Sequence, residues 1–492
     1  MPPHVSIRTV TNNVGWSMLS RTGTFALKFF IVPILARLLS PEEFGVVAVA
    51  LTVVQFLAMI GGAGLAAALI IEPEDDQDSV HSVFWANLAV SCLMALVLFL
   101  GADFFATLLG AREAAYLLRI MSILIPLQLS GDVAYALLAR RMAFHKDAMW
   151  SVTSESLGVL VALALAFSGW TITALVAQQF VAAIVRVGGC YTAARYVPRF
   201  VVSLPTLRRL AGFSLGLMGS DFANFITFQS PLVVITRFLG LADAGAYSVA
   251  NRFSSIPNQV MLTALMGVLF PAFRHMTDDR QRRFQALMLS TQVSTVFLAP
   301  MMFGLWAVAE PAMLVLFGEK WAYAWPVLGL LALSKGIMSP CGTFIPYLKG
   351  VQQGGVLWWS AMLRAILVTG CVAYGAATGS LITAMVALCI ANAITLVGYS
   401  WAVLRTSDGP VLRNFLMINR PMISAAVMAV LVRLLLVRID DLVPSAIGQI
   451  LVGAAAGALI YALLLLLLER PLVRKMAGLV LDRLRPEARA GA

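Results

Sequence analysis

Embedded charge is the feature of this chain with the most chemical content. Arg21, Lys28, Arg252, Lys335 and Arg364 lie within long apolar runs, against three embedded acids, Asp132, Glu155 and Asp221. A charge at the centre of a membrane-spanning helix costs roughly 3 kcal/mol, so those that persist face water or a partner. On the first run Asn13, Ser17, Arg21, Thr24 and Lys28 follow at steps of four, four, three and four, which is one helical face. Asn251, Arg252, Ser255, Asn258 and Gln259 share a side of a later helix. The cations outnumber the acids, and an unpaired cation in a cavity requires an anion. Arginine in particular matches phosphate with a two-pronged fork. For any one residue the alternative is interhelical pairing, Arg21 or Lys28 with Asp221 or Glu155, and no ligand. Asp221, Asp132 and Glu155 are also candidates for carrying a coupling proton or sodium ion, with simple salt bridging as the alternative.

These residues must be held by membrane helices. Of the 492 residues, 60% are hydrophobic and 12% charged, and the mean hydropathy is +0.88, far outside the soluble range. Charge-free runs over 44–71, 82–102, 284–309 and 442–468 each reach the roughly 20 residues that cross a bilayer core. With no water there, each span must be a helix. The pattern predicts an all-α polytopic membrane protein of about fourteen transmembrane helices. They fall near 13–39, 44–71, 82–105, 115–138, 149–168, 171–194, 212–238, 244–272, 284–308, 322–347, 355–376, 380–403, 421–438 and 445–468. The first run carries Arg21 and Lys28 and has no small-residue cleavage site, so it reads as a retained helix.

Lysine and arginine sort by side. The loops after even-numbered helices hold Arg140, Arg141, Lys146, Arg195, Arg199, Arg208, Arg209 and the basic set at 274–283, and a basic C-terminal tail joins them. The opposite loops keep only Arg37, Arg112, Arg237, Lys320 and Arg438. That asymmetry places both termini in the cytoplasm. The net charge of +11 then reflects topology and contact with anionic membrane lipids, not nucleic acid. Five cysteines without a CxxC pair and four scattered histidines offer no metal-ligand spacing, and no cofactor is expected.

The chain also repeats itself. At an offset of 200, Ala36-Arg37-Leu38-Leu39-Ser40-Pro41-Glu42-Glu43-Phe44-Gly45 falls on Thr236-Arg237-Phe238-Leu239-Gly240-Leu241-Ala242-Asp243-Ala244-Gly245, and Val49-Ala50 on Val249-Ala250. At 208, Leu108-Leu109-Gly110 falls on Leu316-Phe317-Gly318. Repeated membrane corners point to a transporter built from two facing bundles. The shift by 200 also puts Asp221 in the place of Arg21 and Asn224 in that of Thr24. The stripe Ser17, Arg21, Thr24 and Lys28 on helix one would then face Asp221 and Asn224 on helix seven. With Asn251 and Arg252 on helix eight, and with Lys335 and Arg364, it would line a central cavity of net positive charge. The expected organisation is an N-lobe over 1–195, a cytoplasmic interfacial linker over 196–211 and a C-lobe over 212–404. A second cytoplasmic linker over 405–420, two extra helices within 421–468 and a basic cytoplasmic tail over 469–492 follow. Met313-Leu314-Val315-Leu316-Phe317 is expected to lie along the membrane, and Pro33, Pro231 and Pro257 to permit helix bending.

The corner Leu35 to Gly45, Phe317-Gly318-Glu319-Lys320-Trp321 before helix ten, and Leu207-Arg208-Arg209-Leu210-Ala211-Gly212-Phe213-Ser214 entering helix seven resemble the bacterial polysaccharide-transporter, or oligosaccharide flippase, family. The resemblance runs over essentially the whole chain. It belongs to a superfamily with multidrug and toxin extruders and peptidoglycan lipid flippases, and it implies two pseudo-symmetric six-helix lobes in a V plus two extra helices. The implied activity moves an undecaprenyl-diphosphate-linked oligosaccharide from the cytoplasmic to the outer leaflet of the bacterial inner membrane, for O-antigen, capsule or exopolysaccharide. Such a protein is no enzyme, and the polysaccharide polymerase machinery is an implied partner. By position, Arg21, Lys28 and Arg252 match cavity cations that hold the diphosphate, and the extra helices would guide the lipid tail.

Other classes fit less well. A multidrug or cation antiporter of the same superfamily favours a net acidic cavity. A major-facilitator carrier should have a basic loop after helix two, where this chain has Glu72-Pro73-Glu74-Asp75-Asp76. A membrane polymerase or ligase would need a sizeable external loop with polar catalytic residues, and a non-transporting scaffold would leave the embedded cations unexplained.

Overall fold

The computed structural model describes residues 31–62, 65–69, 77–275, 280–405 and 410–472, with Gly23 and Arg474 besides. For 67–68, 211–221, 262–275 and 280 it describes the backbone alone. Every regular element among them is helical. In chain order the long helices are α1 (31–38), α2 (Pro41–Gly62), α3 (Gln77–Leu100) and α4 (Arg112–Met121 with Leu124–Arg140). Next come α5 (Phe144–Phe167), α6 (Thr171–Ala194), α7 (Leu204–Leu239), α8 (Leu241–His275) and α9 (Arg280–Ala307). The last are α10 (Glu319–Ile337 with Ser339–Gly350), α11 (Gly354–Ala377), α12 (Leu381–Leu404), α13 (Val411–Arg438) and α14 (Ala446–Leu468).

Among the described residues ten helices are long and apolar enough to cross a membrane, or twelve if α4 and α10 each count as one bent span. The predicted helix one lies largely outside the described residues. α8 is present at the expected place. Leucines, isoleucines and phenylalanines such as Leu93, Phe99, Leu160, Ile366 and Ile390 are exposed around the outside, as the hydrocarbon of a bilayer requires.

Several boundaries differ from the sequence expectation, each for a reason of backbone chemistry. α4 and α10, each expected as one continuous helix, bend by 40° and 50°. Proline has no N–H to give to the carbonyl four residues earlier. Pro126 therefore frees Ser122 O, which takes a tighter bond from Ile125 N at 3.1 Å, while the α10 break sits at Ser339-Pro340. α7 starts at Leu204, inside the expected linker 196–211, with Pro205 in its first turn, and runs unbroken through Pro231. α13 begins at Val411, so most of the expected linker 405–420 is helical. It continues through Pro421 because the Met417 carbonyl that this proline frees accepts a hydrogen bond from Gln292 Nε2 at 3.1 Å. The stretch 313–317 is helical. It belongs to a short helix, Ala309–Phe317, whose Met313 and Phe317 are fully buried.

Helices α2–α6 pack among themselves, as do α7–α12. α13 lies on α9, where Ala425 and Ala429 meet Ala299 and Phe303, and α14 lies on α13. The two halves meet chiefly where α2 crosses α8. There the repeated corners face each other. A Cβ on Gly45 would lie 2.0 Å from Leu241 O, and one on Gly245 would lie 1.8 Å from Pro41 O. Only glycine permits backbones this close. The repeated Ala50 and Ala250 are fully buried in the same core. Arg37 donates to Leu316 O (3.0 Å) and to Val315 O, while Gly110, at φ +71°, lies against the backbone of Arg237. Each half thus sets its repeated arginine against the other half's second repeat.

Capping locks the first corner. Ser40 Oγ accepts from Glu43 N (3.2 Å), Glu43 Oε2 accepts from Ser40 N (2.7 Å), and Pro41 occupies the first turn, a complete capping box. The other Glu43 oxygen accepts from Thr171 Oγ1 at the start of α6. Trp321, fully buried, stacks edge-on against Phe44 at 5.7 Å and donates from Nε1 to Ala36 O at 2.7 Å. Trp321→Phe keeps an aromatic six-membered ring but removes the pyrrole N–H and strands that carbonyl, at about 1–3 kcal/mol. The expected result is a lower thermal-unfolding midpoint of the detergent-solubilised protein. An unchanged midpoint would show that Ala36 O finds another donor.

Candidate functional site

Below the α2–α8 crossing the two halves enclose a cavity of about 420 Å3. Its lining follows helical spacing. α2 presents Ala48, Leu51, Thr52 and Gln55, and α6 presents Leu175, Gln178, Gln179 and Ala182, both at i, i+3, i+4 and i+7. α8 adds Tyr247, Ser248, Asn251, Arg252 and Gln259, α7 adds Gln229 and Leu232, and α5 adds Glu155. Near the corner the wall is apolar, with Ile31, Val32, Leu35 and Phe44. Farther along α2 and α8 it becomes amide-rich. Gln229 Nε2 donates to Gln55 Oε1 at 2.9 Å and bridges the halves.

Four of the polar residues singled out in the sequence converge here: Glu155, Asn251, Arg252 and Gln259. Arg252 and Glu155, from opposite halves, are the charged residues among the described lining, and Arg252 lies in the field of Glu155. The described wall therefore carries balanced charge. A net positive cavity would rest on Arg21 and Lys28, which lie outside the described residues with Ser17 and Thr24. For Asp221 the backbone of α7 is described and the side chain is not.

The remaining candidates sit elsewhere. Lys335, on α10, spends its ammonium on Asn251 O (3.1 Å), Asn251 Oδ1 (2.9 Å), Ser254 Oγ (2.6 Å) and Ser255 Oγ (2.8 Å). With three donors on an ammonium, it is fully engaged behind the cavity and orients Asn251, which does line it. Arg364, on α11, reaches Asn392 Oδ1 at 3.5 Å and lies 5.6 Å from the centre of the Phe228 ring. Asp132, on α4, lies in the field of Arg186, which pairs with Asp147 at 3.4 Å. Asn224 is exposed on α7. Reading by charge alone passed over the neutral residues Thr52, Gln55, Gln178, Gln179, Gln229 and Ser248. Their signal was present as amides and hydroxyls three and four apart in otherwise apolar helices. Among the described residues no cluster of three His, Cys, Asp or Glu could hold a metal.

Residues 34–326, which include both repeated corners and all of the described cavity wall except Ile31 and Val32, match the family described as polysaccharide biosynthesis protein. The chain belongs to this family. Its relatives include the succinoglycan biosynthesis transport protein ExoT of Rhizobium meliloti, 64% identical over 492 residues and the full length of both chains. The lipopolysaccharide biosynthesis protein WzxC of Escherichia coli is 23% identical, over 69% of this chain and 70% of its own. Among solved structures the fold is similar to a lipid II flippase, MurJ, in an inward closed conformation, with a TM-score of 0.77 at 14% identity, covering 93% of this chain and 99% of that one. It is also similar to an inward-facing multidrug transporter of the MATE family, with a TM-score of 0.55 at 15% identity, covering 82% and 96%.

Proposed function

We propose that this chain is a flippase that moves undecaprenyl-diphosphate-linked oligosaccharide units from the cytoplasmic to the outer leaflet of the bacterial inner membrane, for surface polysaccharide biosynthesis. The observation that carries this is the cavity between two repeat-related halves, apolar near the Gly45–Gly245 crossing that closes one end and amide-rich away from it. Kinship with a succinoglycan transport protein over the whole chain supports it. In this reading both termini are cytoplasmic, residues 1–195 and 212–404 act as the two lobes, and the crossing closes the outer side. Arg252, with Arg21 and Lys28, holds the diphosphate. Rocking of the lobes about the crossing then exposes the cavity to each leaflet in turn. The pair α13–α14 borders α9 and offers the lipid tail a path. The flipped units would be handed to polymerase machinery in the outer leaflet. No covalent chemistry is assigned to the chain.

A cation antiporter is disfavoured by the balanced charge of the described wall. The test is deletion of the gene in the source organism, followed by plasmid re-expression. Surface polysaccharide is expected to fall and its lipid-linked precursor to accumulate, both reversed by re-expression, with drug susceptibility unchanged. Normal polysaccharide with no precursor build-up would overturn the proposal.

A further inference from the structure

We propose that the neutral amides of the cavity, Gln55, Gln178, Gln179, Gln229 and Gln259 with Asn251, form a collar that binds the sugar portion of the lipid-linked substrate and sets which headgroup is accepted. This rests on the flippase reading above.

The argument begins with what glutamines are doing in these helices. A polar side chain in a membrane-spanning helix is normally explained by a hydrogen bond to a neighbouring helix. Only one bond of that kind joins collar glutamines, Gln229 Nε2 to Gln55 Oε1 at 2.9 Å. Gln178, Gln179 and Gln259 form no hydrogen bond with any described residue, so their donors and acceptors face the cavity. Each amide offers two N–H donors and a carbonyl acceptor. That set matches sugar hydroxyls, which donate and accept at one oxygen, and acetamido groups. It has no net charge to satisfy a bare cation or anion.

Position separates this role from that of the charged pair. Gln178 and Gln179 come from α6 and Gln55 from α2, while Gln229 and Gln259 come from α7 and α8. A headgroup held by the collar is therefore held by both halves at once. Its binding stabilises the arrangement in which the halves face each other, and its departure requires the Gln55–Gln229 bridge to open. The volume of about 420 Å3 falls within the roughly 300–1,000 Å3 of small-molecule sites. Glutamines with three rotatable bonds can follow a sugar through that space without one fixed geometry.

The test uses the full-length protein in lipid nanodiscs and two probes. One is undecaprenyl diphosphate; the other is the lipid-linked oligosaccharide extracted from a strain lacking this transporter. The wild type is expected to bind the sugar-bearing lipid about tenfold or more tightly than the bare diphosphate. The near-isosteric triple variant Gln178→Leu, Gln179→Leu, Gln259→Leu is expected to lose that preference, since several neutral hydrogen bonds together are worth about that factor. Its affinity for undecaprenyl diphosphate should remain within about twofold of wild type, which also shows that it is folded. A preference retained by the variant, or absent from the wild type, overturns the collar and leaves the flippase reading standing. A wild type that binds neither lipid overturns the flippase reading, and the collar with it.

Discussion

Gly45→Ala and Gly245→Ala are each expected to abolish transport, although each adds a single methyl group. The new Cβ would lie 2.0 Å from Leu241 O in one case and 1.8 Å from Pro41 O in the other. Both obstacles are backbone atoms within a helix, which no rotamer change can move. Overpacking a core ordinarily costs about 1–3 kcal/mol; here relief requires α2 and α8 to separate along their whole crossing, so the cost is at the top of that range or above it. The same separation removes the closure of the cavity and slackens the contact of Arg37 with Leu316 O. Loss of surface polysaccharide in a complemented null strain, at matched membrane levels, is the measurement. Gly188→Ala in α6 and Gly370→Ala in α11 are the controls, because nothing lies within 4 Å of a Cβ at either. Both should be neutral, or stabilising by about 0.5–1 kcal/mol through helix propensity. Wild-type polysaccharide from Gly45→Ala would show that the crossing yields in the membrane.

Arg252→Ala is expected to lower flipping by tenfold or more. A charge-assisted hydrogen bond is worth about 1.5–3 kcal/mol, and each 1.4 kcal/mol is a factor of ten. Loss of activity alone would not separate two roles, because Arg252 also faces Glu155. If the arginine merely neutralises that carboxylate, the double variant Arg252→Gln, Glu155→Gln removes both charges and restores transport. If it binds the substrate's diphosphate, the double variant stays inactive while Glu155→Gln alone retains measurable transport. Such non-additivity is the direct reading of coupling between two neighbours. Arg21→Ala and Lys28→Ala, assayed alongside, test whether the cation set extends to the first helix. Normal polysaccharide from all three single cation variants would remove the diphosphate cradle from the mechanism.

The helical class and the approximate positions of most described spans were legible in the sequence, because hydropathy is a property of one helix and its immediate solvent. The repeats were legible too. The recurrence of Arg37 and Gly45 at Arg237 and Gly245 marked the corners, and family kinship followed from those same residues. Helix ends near Pro126, Pro205, Pro340 and Pro421 were less so. A proline's effect depends on whether a distant donor, such as Gln292 for Met417 O, takes up the carbonyl it frees.

The site divides in the same way. Arg252, Asn251 and Glu155 were recoverable because a charge or amide in an apolar helix stands out along one dimension. The tertiary structure alone decided that Lys335 is consumed by Asn251, Ser254 and Ser255, that Arg364 turns to Asn392 and Phe228, and that five glutamines share one cavity. Which faces meet depends on the rotation of each helix against its neighbours. That rotation is set by how closely backbones approach at contacts such as Gly45 on Leu241, a relation between two helices that neither helix's own sequence contains.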